Sequence, residues 1–342
     1  MLKHLKRLAI ILASITLGSL VFVWLIGKAG IKEVVATFIG ISVYWVGFFL
    51  LVSFLLDIVL AWRWQTILKY HGHKLPFWTC FRYRLMGYAV SYITPSAHVG
   101  GEPVRAMMLR KHNIPTADAF SSVILDKTLE ITADIFFGAI GMLMVLISFR
   151  VPSATYGLMF VAFIITVVLV VKFFKKLKNE ERMFVALATK LGLMRFKFSQ
   201  RVVKKLDEIE ASMSSFMSSS LRGFIYALLM SGLLWSLMFF EYWIALKMIG
   251  YNANIVEIFL VGVFIGISYI IPVPGALGVL EGGQVSLFQL LGKGASIGIV
   301  FGLVIRGRDM LKTLLGLWLL SHSGVNFLNL FFSKNKNGNQ TE

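Results

Sequence analysis

Long uninterrupted apolar runs, at about 8–26, 41–62, 128–148, 155–174, 222–246 and 296–321, dominate this chain. Roughly 20 such residues in helical form cross the hydrocarbon core of a bilayer. The runs are continuous rather than alternating, which argues against a β-barrel. Charged residues make up 15% of the sequence, against about 25% in a soluble domain, so a soluble enzyme is excluded. The 29 Phe and 8 Trp are the opposite of a low-complexity composition. The single cysteine, Cys80, excludes an intrachain disulfide framework and a multi-cysteine metal site. These features predict an all-α polytopic membrane protein with one integral-membrane domain over 1–342.

Basic residues set the orientation. The segments 1–7, 63–84, 105–112, 172–205, 222 and 334–336 hold 25 of the 34 Lys and Arg. The opposite set, Lys28, Lys32, Arg150, Lys247 and Lys293, holds five. Cytoplasmic loops carry the excess of positive charge, so both termini, the 175–221 loop and the polar tail 322–342 are expected on that side. The basic start, Met1 to Arg7, imitates a signal peptide, but the following run is long and lacks a small-x-small site. An uncleaved first span is expected. The spacing in Arg201-Val-Val-Lys-Lys-Leu-Asp-Glu-Ile209 predicts an amphipathic helix on the inner leaflet; a plain solvated linker is the competing reading. The +17 net charge is therefore assigned to loops facing anionic lipid, and nucleic acid is not an expected partner.

Two further apolar stretches, 81–95 and 254–271, each end in a Pro/Gly break and a shorter apolar helix. Ser91-Tyr-Ile-Thr-Pro95 recurs as Ser268-Tyr-Ile-Ile-Pro272. A glutamate follows each break, Glu102 and Glu281, and a Val/Leu-rich segment ending in Asp126 or Arg306 follows at similar spacing. The chain thus reads as a first repeat, 8–148, and a second, 155–321. Each repeat holds two spans, a broken hairpin and a third span, giving eight hydrophobic segments: about six full spans plus two re-entrant hairpins. Three crossings are an odd number, so the second copy is inverted, as in many transporters. The alternative makes 81–95, 99–112, 254–271 and 276–292 full crossings and leaves the terminal orientation unchanged.

The breaks hold the candidate polar residues. Pro95, Gly100 and Gly101 shape the first hairpin, and Pro272, Pro274, Gly275 and Gly278 the second. Glu102 and Glu281 stand at helix starts, where a carboxylate complements the dipole and exposed N–H groups suit a phosphate; simple capping is the bland alternative. Asp126, Glu130 and Asp134 share one helix face. Three carboxylates turned to lipid would each cost about 3 kcal/mol, so the face should meet protein or water. Arg306, Arg308, Asp309 and Lys312 form a charged patch in the last span. Pairing between the two patches is the simplest expectation, as a structural network or as a polar cavity. Asp57 and Glu241 are further buried-acid candidates with no partner assignable. Gly294, Gly298 and Gly302, four apart, are expected to admit the second hairpin. His98 precedes Glu102 by four, but no third ligand is evident, so no metal and no cofactor are expected.

The Trp62-Arg63-Trp64 exit from a span, the Pro95-to-Arg105 stretch with Gly100-Gly101-Glu102, Val123-Ile-Leu-Asp126, the Pro272-to-Glu281 loop and Arg306 together resemble the flippase-like transmembrane family of lysylphosphatidylglycerol synthase, the multiple peptide resistance factor. The likeness covers about 8–321. It implies a prokaryotic plasma-membrane protein that handles phospholipid, such as aminoacylated phosphatidylglycerol, or polyprenyl-linked lipid. It also implies headgroup-binding roles. Arg105 and Arg306 would hold phosphate, while Glu102, Glu281, Asp126 and Glu130 would balance charge or bind a cationic headgroup. In the full-length synthase a separate cytosolic domain performs lysyl transfer. This chain has no room for that domain, so no catalytic residue is assigned. The alternatives are a membrane component of a phosphatidylglycerol lysyltransferase with catalysis supplied in trans, and an envelope-synthesis scaffold. Lys127 and Ala276 stand where the family more often has Arg and Gly.

Overall fold

A computed structural model describes residues 31–94, 100–148, 153–179, 181–190, 197–219 and 221–323, with five isolated positions before residue 31. The 8–26 run, Pro95, His98 and most of the polar tail lie outside the described residues. The described residues form helices and no strand. In chain order they are α1 (Ile31–Ile39), α2 (Val43–Tyr70), α3 (Phe77–Ile93), α4 (Glu102–Leu109, extended by a 3-10 turn, Arg110–His112), α5 (Thr116–Ser148) and α6 (Ser153–Lys178). Then follow α7 (Met183–Lys190), α8 (Lys197–Ser219), α9 (Leu221–Met248), α10 (Ile255–Ile270), α11 (Val279–Leu290) and α12 (Ala295–Ser321).

Local chemistry explains several boundaries. α2 stops where Gly72 takes φ +87° and the His73 amide returns to the Leu68 carbonyl at 2.9 Å, a C-terminal cap that glycine permits. α10 starts in a capping box: Asn254 Oδ1 accepts from the Glu257 amide at 3.0 Å, and Glu257 Oε2 accepts from the Asn254 amide at 2.9 Å. α5 begins directly after Pro115, twelve residues before the apolar run that predicts it, with Asp118 in its first turn.

Among the described residues, α2 and residues 222–248 of α9 are long and apolar enough to cross a membrane by length and composition. These two helices pack on each other and leave Phe48, Leu51, Phe54 and Leu55 of α2 and Leu228, Leu229 and Leu233 of α9 exposed. An apolar surface of this kind suits lipid rather than water. α5, α6 and α12 are also long, at 33, 26 and 27 residues. The largest core cluster joins Phe49 of α2, Tyr242 and Leu246 of α9, Val261 of α10, Leu280 and Phe288 of α11 and Phe301 of α12.

Both broken hairpins form. α3 lies against α4, and α10 against α11. The second legs are short: eight residues in α4 and twelve in α11, about 12 and 18 Å at 1.5 Å per residue. The hairpins also touch each other. A side chain at Gly275 would meet the Tyr92 ring at 3.0 Å. Two of the three spaced glycines of the last span behave as expected. A Cβ on Gly298 would lie 2.7 Å from the Gln284 backbone, and one on Gly302 would lie 3.3 Å from Glu281 Cγ, so α11 sits directly on this stripe. Gly294 differs: it caps α12 and faces only its neighbour Ser296.

Residues 197–219 do form a helix, α8. Its apolar residues Met213 and Phe216 are buried with Ile67, Leu125, Leu129, Leu177 and Ala227. This part of its apolar face is therefore covered by protein, not by the leaflet. His71 ties α8 down: its Nε2 lies 3.1 Å from both Ser121 Oγ and Ser212 Oγ, and its ring stacks on Phe216. Ser212 gives its own proton to Asp118 Oδ1 at 2.9 Å, so it accepts from His71 Nε2–H. His71 Nδ1 is buried with no hydrogen-bond partner among the described residues. Burial lowers the His71 pKa, the Asp118 carboxylate opposes this, and His73 adds to the lowering. A folded-state pKa below the unfolded value means the contribution is complete above about pH 6.5 and lost as the pH falls below it. Amide exchange in α8 is therefore expected to be faster at pH 5.5 than at pH 7.5 after correction for intrinsic rates. His71→Gln, which keeps a neutral donor, should flatten that difference; an unchanged pH response in the variant would refute the assignment.

Candidate functional site: two ionic centres

Asp126 is the hub of the first centre. Its side chain is fully buried, which leaves a carboxylate that must be paired. Three arginines from three helices reach it. Arg63 Nε of α2 lies 2.8 Å from Oδ1; Arg84 Nη1 of α3 and Arg105 Nη2 of α4 lie 2.5 and 2.7 Å from Oδ2. Arg63 also donates to Ser231 Oγ of α9 at 3.1 Å. Arg105 stacks over the Trp64 ring at 4.2 Å, which offsets part of its desolvation. One turn on, Glu130 sits 3.6 Å from Arg63, 3.5 Å from Arg84 and 2.6 Å from Lys127. Glu102 is held more loosely, 4.0 Å from Lys127, and its Oε2 is buried without a hydrogen-bond partner among the described residues.

Openness rises along the acidic face of α5. Asp126 is fully buried, Glu130 is 32% exposed, and Asp134 is exposed. At 1.5 Å per residue these carboxylates lie about 15, 21 and 27 Å along the helix from Thr116. A charged side chain open at such depth is far less costly facing water than lipid. Exposure of the acids along this face rises away from the arginine cluster.

The second centre lies on α12. Arg306 pairs with Glu281 of α11, donates to the Gly275 carbonyl at 3.0 Å and to the Tyr92 hydroxyl at 3.3 Å. Glu281 is fully buried and also accepts the Gly278 amide at 3.0 Å, so it caps α11 and pairs a cation at once. Arg308 lies 2.5 Å from Glu241 of α9 and 2.8 Å from Asp309. The Tyr269 hydroxyl donates to Asp309, and Lys312 lies 3.0 Å from Asp57 of α2. The carbonyls that receive Arg306 are exposed by unusual backbone: Gly275 has φ +57° and Ala276 φ +50°. Alanine pays a steric penalty there that glycine does not, so the Ala276 position is the strained one in this loop.

The expected pairing between the patches does not occur. Among the described residues, no ion pair joins Asp126, Glu130 or Asp134 to Arg306, Arg308 or Lys312. Asp126 finds its cations on α2, α3 and α4, and Glu130 has its nearest one, Lys127, on α5 itself. Three helices contribute to both centres: α2 through Arg63 and Asp57, α9 through Ser231 and Glu241, and α3. Arg84 enters the first centre, Tyr92 bonds Arg306 of the second, and Tyr88, stacked on Tyr92 at 6.1 Å, bonds Asp309. These three residues are four apart and share one face.

The internal repeat is visible in the contacts. The first motif's Ser91 accepts the Gly101 amide at 2.8 Å, and the second motif's Ser268 lies 3.4 Å from the Val279 carbonyl. Each serine stitches the two legs of its hairpin. The motif tyrosines, Tyr92 and Tyr269, both meet charges of α12. All six proposed headgroup residues fall in these two centres: Glu102, Arg105, Asp126 and Glu130 in the first, Glu281 and Arg306 in the second. Of the hairpin residues, Gly101 lies where a Cβ would sit 1.8 Å from the Gly87 carbonyl oxygen, and Gly278 caps α11 with φ +75°.

Sequence reasoning did not single out Arg84, Tyr88, Tyr92 or Tyr269, and it placed Arg63 and Arg84 among loop cations. Arg63 is in fact 1% exposed. The four-residue spacing of Arg84, Tyr88 and Tyr92 was the available signal.

Comparison with known proteins supports the same reading. The family described as "Lysylphosphatidylglycerol synthase TM region" matches residues 10–316. A UPF0104 membrane protein of Methanothermobacter thermautotrophicus is 23% identical over 344 residues, covering 95% of both chains. UPF0104 membrane protein PH1989 of Pyrococcus horikoshii is 23% identical over 92% of this chain and 94% of its own. UPF0104 membrane protein MJ1595 of Methanocaldococcus jannaschii is 32% identical over 109 residues, a match spanning 32% of each chain. With a match over most of its length and an all-helical fold, the chain belongs to the lysylphosphatidylglycerol synthase transmembrane-region family and is a membrane protein.

Proposed function

We propose that this protein translocates a lipid across the bilayer, taking a phospholipid, aminoacylated phosphatidylglycerol or polyprenyl-linked lipid by its headgroup while the acyl chains stay in the membrane. The observation that carries this reading is the three-arginine cluster on Asp126 at the inner end of an increasingly open acidic face. Guanidinium groups match phosphate geometry bidentately, and Arg84, the most exposed of the three at 15%, is the one an incoming phosphate can reach while Asp126 stays paired. A cationic portion of a headgroup meets Glu130 and Asp134 on the same face. The short legs α4 and α11 favour re-entrant hairpins over full crossings, because about 30 Å of hydrocarbon exceeds either length. The related halves then supply two states of alternating access. The basic bias favours cytoplasmic termini, and the family likeness favours the plasma membrane.

Glu102→Gln is the discriminating variant, because Glu102 has no close ion pair to lose. Purified protein in liposomes is expected to flip one of labelled phosphatidylglycerol, lysyl-phosphatidylglycerol or a polyprenyl-phosphate sugar selectively, and the variant is expected to lose most of that rate with unchanged melting. Equal flipping by both proteins would refute the site; no flipping of any lipid by folded protein would refute translocation. Lipids from a host expressing this chain alone should contain no new lysyl-phosphatidylglycerol. Its appearance would favour the lysyltransferase reading that the family name suggests.

A further inference from the structure

An open groove of about 580 Å³, lined by none of the residues of the two ionic centres, lies between the basic end of α2 and the start of α9. Its walls are Trp62, Thr66, Tyr70, Leu75, Tyr226 and Met230, and Lys69 and Lys74 stand among its lining residues with no acidic side chain between them. Both lysines are exposed. Arg222, also exposed, lies four residues before Tyr226 and so on the same face of α9. Tyr70 and Tyr226 stack at 6.5 Å across the α2–α9 seam. The seam is kept tight by Gly223, where a Cβ would meet the Tyr70 ring at 2.5 Å. From Trp62 to Tyr70 the α2 wall runs about 12 Å.

We infer that this groove is a second lipid site, which holds a resident anionic phospholipid of the inner leaflet with its phosphate on Lys69 and Lys74 and an acyl chain along Trp62 and Met230. Two observations select this occupant. The first is charge: the lining carries two cations and no anion, at the chain's basic end, where anionic headgroups attract lysine. The second is continuity. The groove opens between the two helices whose exposed Phe54, Leu55, Leu229 and Leu233 form the apolar outer surface, so a tail leaving the groove stays on an apolar wall. Aromatic rings at the junction of apolar wall and basic rim suit the headgroup level. A free anion would use the lysines but leave the wall uncovered.

The test uses the purified full chain in neutral detergent with native mass spectrometry. The probes are phosphatidylglycerol, phosphatidylcholine and inorganic phosphate. The wild-type protein should retain phosphatidylglycerol over phosphatidylcholine, and inorganic phosphate should not displace it. K69Q/K74Q should weaken phosphatidylglycerol retention roughly thirtyfold, from two lysines at an anionic surface. Trp62→Ala should weaken it through the apolar wall alone. Glu102→Gln should leave this retention intact, which separates the groove from the proposed translocation path. Equal retention by wild type and K69Q/K74Q, equal retention of the two lipids, or displacement by inorganic phosphate would each overturn the inference.

Discussion

Asp126→Ala is expected to cost the protein its stable fold, not only its transport. The substitution leaves Arg63, Arg84 and Arg105 converging on an empty position, all but Arg84 nearly without solvent. Removing one partner of a buried ion pair costs about 3–5 kcal/mol, because the remaining charge stays buried and unpaired. For a domain of this size that corresponds to a drop of roughly 5 °C in Tm. Asp126→Glu keeps the charge and should recover part of the loss. Melting of the two variants in detergent checks this, and an Asp126→Ala protein that melts with the wild type would remove Asp126 from the centre of the network. The same reasoning separates the two sites considered for transport. Arg306 neutralises the fully buried Glu281 and donates to the carbonyls of the strained 275–276 loop. Arg306→Ala is thus a folding variant, whereas Glu102→Gln isolates function.

Gly101→Ala is expected to be nearly as damaging, for a different reason. Its new Cβ would lie 1.8 Å from the Gly87 carbonyl oxygen and 2.4 Å from the carbonyl carbon. Backbone cannot swing aside as a side chain can, so the legs α3 and α4 must separate. That separation breaks the Gly101 amide's bond to Ser91 and withdraws Arg105 from Asp126. Overpacking typically costs 1–3 kcal/mol, and a backbone clash of this size should exceed about 3 kcal/mol on that scale. Gly87→Ala meets the Arg105 side chain at 2.6 Å and the Gly101 carbonyl oxygen at 3.1 Å, a smaller backbone clash, and should be milder. Gly232→Ala, with nothing within 4 Å, serves as the control and should melt at or slightly above wild type, since alanine favours helix by about 1 kcal/mol. Folded yield by size-exclusion chromatography orders the three; equal yields for Gly101→Ala and Gly232→Ala would contradict the close approach.

The sequence by itself determined the class of protein and the layout of its hairpins. Apolar length and low charge leave a chain little choice but helices in lipid, and Pro with Gly marks where those helices must break. The acidic face of α5 was equally legible, because position along a helix sets its face whatever lies opposite. The glycine stripe at 298 and 302 announced a close neighbour for the same reason. Tertiary structure decided which charges meet. Arg63 and Asp126 are separated by 63 residues, Arg308 and Glu241 by 67, and Lys312 and Asp57 by 255. Nothing in local spacing encodes such pairs, since a buried acid accepts any cation that packing delivers. Arg63 and Arg84 sit at the ends of apolar segments, where sequence logic reads them as loop cations facing anionic lipid. Only the crossing of α2, α3 and α4 over α5 turns them inward, because that packing leaves Asp126 no water and no other means of neutralisation.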